Sequence, residues 1–196
     1  MPETDTNPWI DPSEIRRAER KLKAVFQKCN IGFENLVVVG SVALGIEIRS
    51  SDIDFAVGTS HVKEEVLSQL SQWMEFRGER PATPTSTRLL FCIMDEGRHI
   101  DLNVMSVNDL KLLQANLYAA AAQLSIQDRK LIIRRKTELR DKKRERELDE
   151  YKTELYRRFC PSFVWSPDDE IVKALAEEFS RRGDPIPDWL AKKLAR

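Results

Sequence analysis

Long apolar runs are missing from this chain of 196 residues: no stretch approaches the ~18 consecutive apolar residues that a membrane-spanning helix needs. The amino terminus, MPETDTNPWIDPSE, is acidic and has no apolar segment of the kind a secretory signal carries. The expectation is a cytoplasmic protein that does not enter a membrane. Cysteine is scarce as well. Cys29, Cys92 and Cys160 are odd in number, far apart and without a second ligand-type residue at metal spacing. That argues against a disulfide framework and for buried thiols in a reducing compartment. His61 and His99 are the only histidines, and neither has a metal partner in the sequence. An excess of one charge is also absent, since Lys+Arg and Asp+Glu balance at 32 each, so non-specific nucleic-acid binding by the whole molecule is disfavoured. What is present, 41% hydrophobic and 33% charged residues, suits a globular protein with long solvated helices.

Asp11-Pro12-Ser13-Glu14 supplies an N-cap, a proline in the first turn and an acid at the third helical position, which predicts a helix running to about Gln27. Leu36 to Val39 and Ser51 to Val57 read as buried strands, separated by a Gly-Ser turn. Val66, Leu67, Leu70, Trp73 and Met74 predict a helix of about three turns after a cap at Ser60. Pro81 to Thr87 reads as a loop, followed by a hairpin of RLLFCIM and HIDLNVM around Asp95 to Arg98.

After Ser106 the pattern turns helical. Leu110, Leu113 and Leu117 mark one packed helix, and Ser125 with Asp128 is a capping box for another. The charged stretch Arg140 to Glu147 reads as a helix polar all round, which leaves the core body and packs again elsewhere. The run Arg129 to Arg146 holds ten Lys/Arg against three Asp/Glu, a solvated face or an RNA or phosphate surface. Two further short helices are expected from Ser166 and from Pro187, with Trp165 and Trp189 in a small C-terminal core. The fold class is therefore α+β: a small mixed sheet with flanking helices over residues 1–106, then an all-helical extension over 107–196.

Asp52 and Asp54 interrupt an otherwise apolar strand. Residues two apart on a strand point to the same side, so their carboxylates repel while Ile53 and Phe55 face the core. A hard divalent cation relieves such a conflict, and Mg²⁺ takes one or two carboxylates together with substrate phosphates. Asp101, set between Ile100 and Leu102, is the candidate third acid of a two-metal site. Gly40-Ser41 ends the first strand, where free backbone N–H groups and a hydroxyl suit a phosphate.

Val39-Gly40-Ser41, ten residues, then Asp52-Ile53-Asp54-Phe55, with Asp101 on a later strand, resembles the nucleotidyltransferase superfamily of DNA polymerase beta, the terminal transferases and the minimal nucleotidyltransferases. The resemblance spans Leu36 to Ser106. It implies that Asp52, Asp54 and Asp101 are catalytic and bind Mg²⁺ or Mn²⁺, with Asp101 promoting deprotonation of the acceptor hydroxyl. It also implies that Gly40 and Ser41 hold a nucleoside triphosphate donor. Many small members carry a basic residue where this chain has Leu44, and terminal transferases lack it too. Compensating charge is expected from Arg49, Arg88, Lys130 or Arg134. The implied reaction moves a nucleoside monophosphate to a hydroxyl of an RNA 3′ end, a protein or a small molecule, releasing pyrophosphate. The alternative is a catalytically inert nucleotide-binding or antitoxin-like module acting through its helical tail, with that tail as the surface for a protein partner.

Overall fold

The structure, a computed structural model, describes residues 9–83 and 85–159 and scattered single positions between 173 and 195. Helix α1 (Pro12–Lys28) begins at the expected capping box, with Asp11 accepting from the Ser13 amide and Glu14 from the Asp11 amide. Ala18, Leu22 and Val25 line its buried stripe. Strand β1 (Glu34–Val38) leads into the short helix α2 (Gly40–Leu44) and then β2 (Ile53–Thr59). Helix α3 (Lys63–Leu70) follows, then β3 (Glu75–Thr83), β4 (Ser86–Asp95) and β5 (Arg98–Ser106). The chain continues with α4 (Val107–Gln123), α5 (Ile126–Asp141) and α6 (Glu145–Phe159).

The five strands form one mixed sheet in the order β1-β2-β5-β4-β3. Only β2 and β5 pair in parallel; the other three pairings are antiparallel. One face carries Ile53, Phe55, Phe91, Ile100 and Leu102 and packs on α1 and α3. The other carries Ala56, Ala82 and Met105 and packs on the apolar side of α4, centred on Leu110 and Leu113. Strand alternation therefore puts Asp54 and Asp101 on the α4 side of the sheet, back to back with an all-apolar core.

Several expectations are corrected. Pro81 lies within β3, opposite Thr87, not in a loop; β3 is an edge strand, where the missing N–H of proline leaves no ladder bond unmade. Helix α3 has only eight residues, starts from Val62 without a side-chain cap, and leaves Trp73 and Met74 in the turn beyond it. β1 is a half-exposed edge strand, and the buried Val39 falls after its end. The charged stretch is not one continuous helix: α5 stops at Asp141, Lys143 takes a left-handed φ of 54°, and α6 starts at Glu145. The buried Leu139 and Leu148 on either side of the break keep both helices on the body, so the chain does not leave it there. Cys29 and Cys92 are buried free thiols. The expected helices from Ser166 and Pro187, together with Cys160, Trp165 and Trp189, lie outside the described residues. Among the described residues no helix is long and apolar enough to cross a membrane.

Candidate active site

The site begins with a close approach of backbone to carboxylate. Val39 donates its amide to the Asp54 carbonyl at 2.8 Å, which draws the start of α2 onto β2. Gly40 follows with φ of 66°, and a Cβ there would sit 3.0 Å from Asp54 Cγ and closer still to Oδ2. Glycine is thus required twice over, for the left-handed backbone and for the space the carboxylate takes. Ser41 is buried in the first turn of α2.

Asp54 and Asp101 are direct partners in the parallel β2–β5 register. Asp52 precedes β2 and is exposed, not a strand residue, yet its charge acts on both Asp54 and Asp101. The Asp54 carboxyl is pushed up to about 7, first by burial and then by Asp101 and Asp52, with Lys152 and Arg88 pulling the other way. Asp101 is raised as well, by burial most of all, with the Cys92 thiol donating to it and holding it down, and Asp52 adding to the rise. The same surroundings push the Cys92 thiol up to about 11, burial first and Asp101 next. Its Sγ also lies 3.1 Å from His99 Nδ1, so His99 is a bonded neighbour of the site and not merely a solvated one.

The three acids fit a hard divalent cation in kind, because each raised carboxyl would give up its proton to a cation that cancels the repulsion. Their side chains are not gathered around one point: among the described residues no group of three or more His, Cys, Asp or Glu is placed to hold a metal ion.

Positive charge reaches the site from residues the sequence did not mark. Lys130 and Arg134 are exposed on α5, and Arg49 is exposed on the loop before β2. Lys136, four residues from the buried Ile132 on the inward side of α5, is only 2% exposed. Its Nζ donates to the Ile46 carbonyl at 2.6 Å. Burial and then Lys152 bring its ammonium down to about 8, against the attraction of Glu47 and Asp54. Lys152 comes from α6 and acts on both Asp54 and Lys136. Arg88, the one expected cation that lies in the field of Asp54, is buried and lowered to about 9 by that burial, with Asp54 opposing the shift. Glu47 is buried too, and its Oε2 has no hydrogen-bond partner among the described residues. A charged residue in the middle of a charged run gives no sequence signal of burial; only its helical phase with Ile132 and Leu139 distinguishes Lys136.

Asp54, Asp101 and the start of α2 thus share one side of the sheet, with Asp52, Arg88 and Lys152 acting on Asp54. No protein-family model matches the chain, and no curated protein matches it. Solved structures do. Cid1, described for its RNA terminal uridylyl transferase activity, matches at 15% identity and a TM-score of 0.45, over 67% of this chain and 41% of its own. A cytoplasmic RNA terminal U-transferase matches at 17% identity and a TM-score of 0.45 over the same shares. The polymerase core of TRAMP, an RNA surveillance complex, matches at 16% identity and a TM-score of 0.46, over 68% of this chain and 44% of its own. The chain is similar to these structures in fold. It spans less than half the length of these structures, and the chemistry argued for it rests on its own residues.

Proposed function

We propose that the chain is a divalent-metal-dependent nucleotidyltransferase that moves a nucleoside monophosphate from an NTP to a hydroxyl acceptor, with release of pyrophosphate. The observation that carries this reading is the pairing of Asp54 and Asp101 on adjacent parallel strands, with the Gly40 backbone pressed against the Asp54 carboxylate. Two carboxyls raised by burial and by neighbouring acids are costly to keep, and such costs gather at functional sites. A Mg²⁺ or Mn²⁺ ion held by Asp52, Asp54 and Asp101 would neutralise charge on the triphosphate and acidify the acceptor hydroxyl.

The protein's own groups divide the remaining work. Gly40 and Ser41 offer backbone N–H groups and a hydroxyl to the donor phosphates, beside rather than on top of the acids. Lys136 and Lys152 place ammonium groups in the field of Asp54 and would add to the charge balance when a polyanion enters. Asp101 carries a carboxyl tuned upward, which suits it to receive the acceptor proton at a carboxylate oxygen.

The test is incubation of the purified chain with each α-³²P-labelled NTP, Mg²⁺ or Mn²⁺ and whole-cell extract, beside Asp54→Asn, followed by separation of protein, RNA and small-molecule fractions. Label in one fraction with the wild type alone is the expected result and identifies the acceptor class. No label with any NTP, or equal label with Asp54→Asn, refutes the reading and leaves the inert binding module.

A further inference from the structure

Helix α5 reaches back into the loop that joins α2 to β2 with two cations from one side. Arg129 donates from Nε to the Leu44 carbonyl at 2.9 Å and from Nη2 to the Ala121 carbonyl at 2.8 Å. Lys136, seven residues or about two helical turns further on, donates to the Ile46 carbonyl. Leu44 is the last residue of α2, and Ala121 lies in the last turn of α4. The final carbonyls of a helix have no donor within it and carry the negative end of its dipole, so one guanidinium satisfies two helix ends at once. Between the two anchored carbonyls stands Gly45, with φ of 64°; a Cβ there would sit 3.4 Å from Cδ and Nε of Arg129.

Helix α2 has only five residues, too few to set its own position. Its front end is tied to β2 through Val39 and Asp54, and its back end is tied to α5 through Arg129. Within it the Ser41 carbonyl accepts from the Ile46 amide at 2.9 Å, so the turn carrying Ser41 and the loop held by α5 form one unit. We infer that Arg129 is a positioning residue for the donor nucleotide: by fixing the back of α2 it sets Gly40 and Ser41 in register with Asp54. The inference rests on the nucleotidyltransferase reading. Arg129 is bonded to backbone carbonyls and not to the three acids, so it acts through the backbone of Leu44.

A displaced cradle weakens its hold on the phosphates while Asp54 and Asp101 stay fixed on β2 and β5, so donor binding should fall further than metal binding. The experiment measures binding of each of the four ribonucleoside triphosphates in the presence of Ca²⁺, and binding of Mn²⁺ alone by electron paramagnetic resonance. The proteins compared are the full chain, Arg129→Met and Arg129→Lys, with thermal melts alongside. Because small misplacements of binding groups carry large penalties, Arg129→Met should weaken NTP binding by about tenfold or more, with Mn²⁺ affinity within about twofold of wild type. Arg129→Lys, which keeps one charged donor, should recover part of the loss. Wild-type NTP affinity in Arg129→Met overturns the inference. So does a parallel loss of NTP and Mn²⁺ binding, which is what a merely structural role produces. Should Arg129→Met fail to fold, Arg129→Gln carries the same comparison. A wild-type chain that binds neither NTP nor Mn²⁺ refutes the nucleotidyltransferase reading first, and this inference falls with it.

Discussion

Asp54 and Asp101 are register partners on adjacent parallel strands, and Asp101 raises the cost of ionising Asp54. The Asp54 carboxyl titrates at about 7 in the folded chain against 3.8 ordinarily. The folded state therefore holds a proton that the unfolded state has released, and stability falls as pH rises through that window. Asp54→Asn removes the term. In EDTA it should be more stable than the wild type at pH 8, by up to roughly 4 kcal/mol, and converge with it near pH 4. Activity should be lost by at least about a hundredfold. Thermal melts across pH 4 to 8 check the first part; an unchanged pH slope in Asp54→Asn would remove the basis of the site assignment.

Lys136 gives the opposite slope. Its ammonium titrates near 8 when folded and 10.5 when unfolded, so between those values the unfolded state binds the extra proton and stability rises with pH. Lys136→Met should flatten that rise, which is on the order of 3 kcal/mol across the window, and should weaken NTP binding as well. Denaturant titrations at pH 8 and 10 read the first effect. A rise that survives the substitution would place the titration elsewhere.

Gly40→Ala tests the close approach. The new methyl meets the Asp54 carboxylate in a backbone conformation that alanine adopts only with strain, costing about 1–3 kcal/mol before any repacking. The expected outcome is a folded but destabilised protein with at least about tenfold weaker NTP binding. Stability and affinity both equal to wild type would mean that α2 does not lie against β2 as described.

The buried thiols should be inert. Burial raises both Cys29 and Cys92, the latter to about 11 with Asp101 adding to it, so little thiolate exists at neutral pH. Peptide mapping after iodoacetamide treatment should find both unmodified in the native chain and modified in denaturant. Rapid native alkylation of Cys92 would contradict its place behind Asp101.

Where local chemistry and tertiary context agree, the fold was legible in the residues. The Asp11 and Ser125 capping boxes, the β4–β5 hairpin and the apolar stripe of α4 are all written in patterns a few residues long. β3 was hidden because Pro81 opens a stretch that reads as a loop, and only an edge position makes a proline tolerable in a strand. The break between α5 and α6 contains no glycine or proline; Lys143 adopts its left-handed conformation where Leu139 and Leu148 demand burial on both sides. Gly40, Asp54 and Asp101 could be picked out because short apolar flanks frame them. Lys136, Lys152 and Arg129 could not, since a lysine or arginine among many shows its partner only once α5 and α6 have packed against the sheet.

The order of the chain gives the site an order of assembly. Synthesis as far as Ser106 delivers the five described strands and all three acids, while Arg129, Lys136 and Lys152 are still to come. A nascent sheet would hold its carboxylates with only Arg88 beside Asp54, and would fold more readily in mild acid than at neutral pH. Helices α5 and α6 follow the strands in the chain, and Lys152 of α6 is the late-arriving cation that pulls the Asp54 carboxyl down, so the charge balance of the candidate site is completed from behind the sheet's own sequence.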